Sequence, residues 1–187
     1  MTVPPPDSAP PKNAQEEVQI LAWEDFKTLN HQVIQSIIDA QDDYGWEYPT
    51  QIQKDSIPLI IERKNLIAQA EPGSGKTLAS LCGALTICDP NIHMPQVLVI
   101  GITREHTIQN YNFFEVLNEL TSFSVGCALP TDASTQTAEN SPPITKPDNQ
   151  FIFGTMGSIK FEVRTKRWSI DSLKVIFIFI LKFIRIL

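Results

Sequence analysis

Metal-ligand spacing is missing from this sequence. Its three cysteines, Cys82, Cys88 and Cys127, form no C-x-x-C pair, and their odd number argues against a closed disulfide framework. Buried free thiols in a reducing compartment are the expectation. His31, His93 and His106 are far apart and lack the spacing of a ligand set. Basic charge is also scarce: 15 Lys and Arg stand against 21 Asp and Glu, for a net charge of −6. Overall charge therefore offers nucleic acid nothing, and any such binding needs a local basic surface. The N-terminus has no basic segment followed by an apolar run, so nothing reads as a secretory leader. The apolar C-terminal run is short and carries Lys182 and Arg185, which argues against a transmembrane helix and for no membrane role. No acidic residue follows Asp171, and there is no internal repeat.

What remains is enough for one globular domain. Apolar residues make up 42% of the 187, which suits a soluble chain with a sizeable core. Residues 1–18 are polar and Pro-rich, with Val3-Pro4-Pro5-Pro6 near the start, and read as a flexible tail or a proline-docking ligand. Residues 19–187 read as the folded domain.

The most specific stretch is Ala70-Glu71-Pro72-Gly73-Ser74-Gly75-Lys76-Thr77, a phosphate-binding loop with Ala in place of the usual first Gly. Its glycines let the backbone wrap closely, so that successive N–H groups can face phosphate oxygens. Gly73, Ser74, Gly75 and Lys76 are the expected phosphate cradle, with Lys76 the catalytic candidate reaching the β- and γ-phosphates. The Thr77 hydroxyl is the expected Mg²⁺ ligand. The context fits. Residues 65–69 form a short apolar run typical of a buried strand, and Leu78, Leu81, Cys82 and Leu85 then recur at helical spacing.

Other elements follow the same pattern. Val33, Ile34, Ile37 and Ile38 make a helical stripe, and Thr50 is placed to cap a helix starting near Gln51. Residues 96–100 read as a buried strand ending at Gly101, followed by a long helix with Phe113, Val116, Leu117 and Leu120 on one face. Residues 122–128, 151–153 and 173–178 read as further strands, a polar loop fills 129–150, and a short helix follows Gly157. Strands alternating with helices imply an α/β fold, a parallel sheet between helices, with the phosphate loop at the carboxyl end of its strand.

Upstream lies Gly45-Trp46-Glu47-Tyr48-Pro49-Thr50-Gln51-Ile52-Gln53. Two readings stand for it. One is a turn leading into a capped helix with a solvated glutamine. The other is an adenine reader, because a Gln amide matches the N6 and N7 edge and a nearby aromatic could stack on the base.

Taken together, the phosphate loop and this segment resemble the DEAD-box RNA helicase family. Gly45, Pro49, Thr50, Ile52 and Gln53 match its adenine-reading motif, and Trp23 resembles its upstream stacking aromatic, with Phe26 nearer the usual spacing. Thr103-Arg104-Glu105 and Gln109 resemble the motif Pro-Thr-Arg-Glu-Leu-x-x-Gln, with Ile102 for the Pro and His106 for the Leu. Gly154-Thr155-Met156-Gly157-Ser158 resembles Gly-Thr-Pro-Gly-Arg. The resemblance spans Trp23 to Ile178. It implies a RecA-like N-terminal lobe that binds ATP and Mg²⁺ through Trp23, Gln53, Gly73–Lys76 and Thr77. It further implies that Thr103, Arg104, Glu105, Thr155 and Gly157 face RNA. Residues 65–70, Asp89-Pro90 and Pro95-Gln96 look like the branch that remodels messenger RNA at nuclear pores, which implies export factors as partners and a nuclear or cytoplasmic location.

The resemblance also implies Asp-Glu-Ala-Asp after Ile178, and a second lobe. The chain instead continues Phe179-Ile180-Leu181-Lys182. Without the carboxylates that hold Mg²⁺ and activate water, the expectation is a chain that hydrolyses ATP only at background rates. The lobe is then incomplete at its C-terminus. Its apolar end is read as a strand extended past its usual end or as a truncated frame. A catalytically inactive nucleotide-binding pseudoenzyme or a truncated regulatory fragment is the alternative function.

Overall fold

A computed structural model describes residues 22–129 and 142–179, and the backbone of 180 and 183–186. The expected tail at 1–18 and much of the expected polar loop lie outside the described residues. Among the described residues six strands form one sheet: β1 (Leu66–Gln69), β2 (Val97–Gly101), β3 (Val125–Ala128), β4 (Phe151–Thr155), β5 (Val175–Ile180) and β6 (Phe183–Ile186). The helices are α1 (His31–Asp39), α2 (Gln41–Tyr44), α3 (Gln51–Ile61), α4 (Lys76–Ile87), α5 (Arg104–Asn118) and α6 (Met156–Arg164), preceded by a 3-10 turn at Trp23–Asp25.

The spatial order is β1-β6-β5-β2-β4-β3. β2 runs parallel to β4 and β5, and β3 parallel to β4, as alternating strands and helices require. β6 adds an antiparallel strand to this parallel sheet. It is antiparallel to β5, with Ile180 opposite Phe183, and antiparallel to β1, with Gln69 again opposite Phe183. The tail therefore folds back as a hairpin instead of extending β5. A short connection permits only an antiparallel return, since a parallel one needs a crossover of a dozen or more residues. Two antiparallel steps restore direction, so β1 points the same way as β5, β2 and β4. Their carboxyl ends share one rim.

Period-2 alternation decides which face each strand residue serves. On one face Val97, Val99, Phe151, Phe153, Val175, Phe177 and Phe179 pack with α1, α3, α4 and α5. On the other, Leu98, Ile100 and Ile152 pack with Ile159 of α6 and Trp168. α4 is buried almost all round, from Leu78 to Leu85, which suits a helix lying between the sheet and α3. The buried face of α5 is Thr107, Asn110, Phe114 and Leu117; of the expected stripe Leu117 is buried, Phe113 and Val116 are partly buried, and Leu120 lies past the helix and is exposed. Two of those four buried positions are polar, so an apolar count selects the neighbouring face. Two buried glutamines pin the loop after α4. Gln96 donates to the carbonyls of Asp89 and Ile92, and Gln150 Nε2 donates to those of Asp89, Pro90 and Ile92. All three cysteine thiols are free and buried, as expected, and burial pushes Cys88 and Cys127 up to about 12.

Phe114 sits at the centre of the larger core, its ring 4.6 Å from that of Phe151 and 5.3 Å from that of Phe153. Phe114→Ala should cost about 3–5 kcal/mol in urea unfolding, through lost transfer energy and a residual cavity. Ile170→Ala, at a site 46% exposed, should change stability by less than about 0.5 kcal/mol. Equal losses at both sites would contradict this packing.

Candidate functional site

The rim built by the carboxyl ends of β1, β5 and β2 carries a cavity of about 610 Å³. Gly73, Gly75, Lys76 and Thr77 line it together with Ile102, Thr103 and His106. The loop that follows β1 therefore opens into a space large enough for a nucleotide-sized ligand.

The loop's shape follows from two glycines. Gly73 and Gly75 take φ of +81° and +90°, a region that L side chains rarely adopt. At Gly75 there is a second reason: an added Cβ would collide with the amide nitrogen of Gln53. Gly75 is also the N-cap of α4, so the next amides begin the helix and lack intrahelical partners. Such a helix start favours negative charge.

The segment before α3 fixes which way this loop faces. The Thr50 hydroxyl donates to the Ser74 carbonyl at 2.8 Å, and Gln53 Nε2 donates to the Gly75 carbonyl at 3.2 Å. Gln53 Oε1 accepts from the Thr50 N–H at 2.7 Å, as in a capping box. In a trans peptide the C=O and the following N–H point to opposite sides. Drawing the carbonyls of Ser74 and Gly75 toward α3 therefore turns the N–H groups of Gly75 and Lys76 away from it. Lys76 Nζ meanwhile donates to the carbonyls of Ala70 (2.8 Å) and Glu71 (2.6 Å) and to Ser74 Oγ (3.2 Å). Burial lowers its pKa, while three acceptors hold the ammonium over the loop.

Two sequence expectations land elsewhere. Gln53 is 2% exposed, with its amide engaged in the loop instead of presented to the cavity. Trp23 is also 2% exposed: its indole N–H donates to the Trp46 carbonyl at 2.7 Å, and its ring stacks on Phe26, which is equally buried. Both aromatics belong to the core. The aromatic side chains that do line the cavity are Tyr44, Trp46, Phe113 and Phe179. Phe179 is the missed residue that matters most. It comes directly after Ile178, where the resemblance implied the first carboxylate; it lies on the face of β5 that packs with α4 and α5, and its ring meets His106 edge-on at 6.0 Å.

The remaining expected residues gather on the same rim. Thr103 caps α5, its Oγ1 accepting from the His106 N–H at 3.2 Å. Thr155 caps α6 and accepts from the Ser158 N–H at 3.5 Å. Gly101 and Thr155 are paired in register, so these two helix starts lie side by side. Arg104 and Glu105 open α5; bonds to the Glu105 backbone and the Thr103 side chain lower the Glu105 pKa. An added Cβ at Gly157 meets open space, so nothing local demands glycine there.

The cavity fits phosphate better than it fits a divalent cation. Amides, Lys76 and a helix start suit an anion, but no carboxylate lines it among the described residues, and no cluster of three metal-binding side chains occurs among them. Thr77, the expected Mg²⁺ ligand, lines the cavity with no carboxylate beside it in that lining.

Two outcomes follow. Gly75→Ala should destabilise the chain by about 1–3 kcal/mol, through positive φ and the clash with Gln53. Gly157→Ala, in open space, should not, and a urea titration of the pair checks the contrast. His106 is held below its usual 6.5 by burial, so the unfolded chain binds its proton more tightly. Stability should therefore fall as pH drops through about 6.5, and less so in His106→Gln; identical pH profiles would contradict the burial.

Comparison with known proteins places this geometry. The DEAD/DEAH box helicase model matches residues 50–180. The chain is 36% identical over 133 residues to the ATP-dependent RNA helicase ddx19 of Dictyostelium discoideum, covering 71% of the chain and 27% of that relative. It is 33% identical over 153 residues to the ATP-dependent RNA helicase eIF4A of Encephalitozoon cuniculi, covering 82% of the chain and 34% of the relative. The chain thus spans about a quarter to a third of the length of these relatives. The fold is that of S. cerevisiae Dbp5 bound to RNA and ADP BeF3 (TM-score 0.70, 22% identity, 83% of this chain and 37% of that one). It is equally that of a DEAD box protein from Methanococcus jannaschii (TM-score 0.68, 22% identity, 83% and 40%). With its phosphate loop, its α3 anchor and its parallel strands in the matched span, this chain belongs to the DEAD/DEAH box helicase family.

Proposed function

We propose that this chain is the nucleotide-holding part of an ATP-dependent RNA helicase, and that by itself it binds ATP without turning it over. The observation that carries this is the loop at the start of α4, with the carbonyls of Ser74 and Gly75 tied to α3 and the amides of Gly75 and Lys76 facing away. Gly73 to Lys76 cradle the phosphates, and Lys76 supplies the counter-charge that three carbonyl and hydroxyl oxygens now hold in place. Thr77 is the Mg²⁺ contact. Gln53 serves the nucleotide indirectly, by orienting the loop.

RNA is the proposed second ligand. The adjacent starts of α5 and α6, capped by Thr103 and Thr155, offer backbone amides to phosphates along the rim, with Arg104 nearby. The likeness to relatives named as RNA helicases supports this substrate, and the likeness to ddx19 supports a role in messenger RNA export with protein partners.

Binding without hydrolysis is favoured by one further observation. Phe179 puts an aromatic ring on the wall of the cavity that Lys76 and Thr77 also line, and a ring can neither ligate a cation nor accept a proton from water. ATP affinity should therefore change by less than about tenfold between Mg²⁺ and EDTA.

Calorimetric titration tests the reading. Lys76→Ala should weaken both ATP and inorganic tripolyphosphate by about tenfold or more, as loss of a charged hydrogen-bond partner predicts. Gln53→Ala should weaken the two ligands to the same degree, because it acts through the loop. Selective loss of ATP in Gln53→Ala would instead make it a base reader. RNA-stimulated turnover by the wild-type chain, measured as phosphate release, would overturn the claim of binding alone.

A further inference from the structure

The chain is acidic overall, yet its cations are not evenly spread. Four of its 15 Lys and Arg, namely Lys160, Arg164, Lys166 and Arg167, fall within residues 160–167, in α6 and the turn after it. All four are exposed. The one acid in that window, Glu162, is 8% exposed, so the charge facing solvent has one sign. Lys160, Arg164 and Lys166 form no ion pair among the described residues.

The turn keeps these cations in place. Thr165 caps α6, and Lys166 follows with φ of +53°, a left-handed conformation that usually goes to glycine at a helix end. The Arg167 N–H then donates back to the Glu162 carbonyl at 3.2 Å, and Trp168 is buried in the smaller core. The backbone thereby returns Arg167 along its own helix. Its guanidinium lies 5.9 Å from the centre of the Phe161 ring, within cation–π range, and its Nη1 donates to Glu162 Oε1 at 3.3 Å. The rest of its donor fork meets no acceptor among the described residues. With Gly157, Ser158 and Phe161, Arg167 lines a cavity of about 330 Å³. A guanidinium thus joins the lining that the first turn of α6 contributes, where Ser158 brings no charge. Such a fork matches phosphate oxygens, and exposed cations interleaved with an exposed ring suit a single nucleic-acid strand.

We propose that Arg167, with Lys160, Arg164 and Lys166, grips the phosphates of a single RNA strand along α6. Glu162 and Phe161 position the Arg167 guanidinium for that contact. The inference rests on the RNA reading above and adds to it a set of side chains that the two helix starts do not include.

Fluorescence anisotropy of the whole chain with fluorescein-labelled oligouridylate, at a series of salt concentrations, tests it. Arg167→Gln should weaken RNA by about tenfold, the loss of a charged hydrogen-bond partner. It should also lower the slope of log affinity against log salt by about 0.7, one phosphate contact on a single strand. Because Arg167→Gln leaves Glu162 without its partner, a second variant removes the three unpaired cations instead. Lys160→Gln, Arg164→Gln and Lys166→Gln together should lower the slope by about 2 with an unchanged circular dichroism spectrum. Lys27→Gln, an exposed cation outside this window, should leave affinity and slope as they are. Unaltered slopes in both α6 variants overturn the proposal, and so does an equal loss in Lys27→Gln. An oligoglutamate peptide that displaces RNA at equal charge, and is lost equally in the variants, overturns RNA in favour of an acidic protein. If the wild-type chain binds no RNA, the RNA reading has failed and this one falls with it. RNA binding that every α6 variant retains removes this grip alone.

Discussion

One buried side chain organises the site. Gln53 closes a capping box with Thr50 at the start of α3 and at the same time donates to the Gly75 carbonyl. The contact requires glycine at 75, because any Cβ there would strike the amide. Thr50 adds a parallel bond to Ser74. Two side chains from one helix start thus hold two successive peptide planes of the loop, and peptide planarity does the rest: carbonyls drawn one way send amides the other. An anion site is in this way built before any anion arrives, which lowers the ordering cost of binding.

The sheet supplies the second constraint. Among the described residues, β1 joins the other strands only through β6, whose backbone pairs with β1 along Leu66 to Gln69 and with β5 along Phe177 to Ile180. The segment that carries no acidic residue therefore has a structural use. It places the loop after β1 on the same rim as the ends of β5, β2 and β4. The cavity between them gathers residues from α2, α4, α5 and β5 that are distant in sequence. Phe179 shows how one position changes the chemistry of such a rim. Strand alternation points residue 179 to the face that packs with α4 and α5, and the aromatic ring there leaves the cavity lining without a carboxylate.

Much of this was legible in the sequence because it is local. The loop octet announces itself by its glycines and Lys76, Thr50 marks the start of α3, and residues 66–69, 97–101 and 151–155 are strands that apolar, β-branched runs reveal. What escaped is non-local or polar. The antiparallel return of β6 depends on which gap in the sheet is open, and no periodicity encodes that. Of the buried face of α5 only Leu117 was legible, because Thr107 and Asn110 occupy half of it and a hydrophobic count passes over them. Trp23 and Gln53 were singled out by resemblance as ligand contacts, but local packing gives them other partners. A lone aromatic pair such as Tyr44 and Trp46, two residues apart across a left-handed Gly45, becomes a wall only when α5 brings Phe113 against it.

The central claim is that the amides of Gly75 and Lys76 are already aimed at phosphate by the hold of α3 on the loop. The most direct measurement is a ¹⁵N-resolved amide NMR titration of the chain with inorganic tripolyphosphate. The account predicts that Gly75 and Lys76 show the largest amide shifts, saturating together, and that Gln53→Ala shrinks both. Unmoved amides at those two positions, with the main shifts at Gly157 and Ser158 on the start of α6, would contradict it.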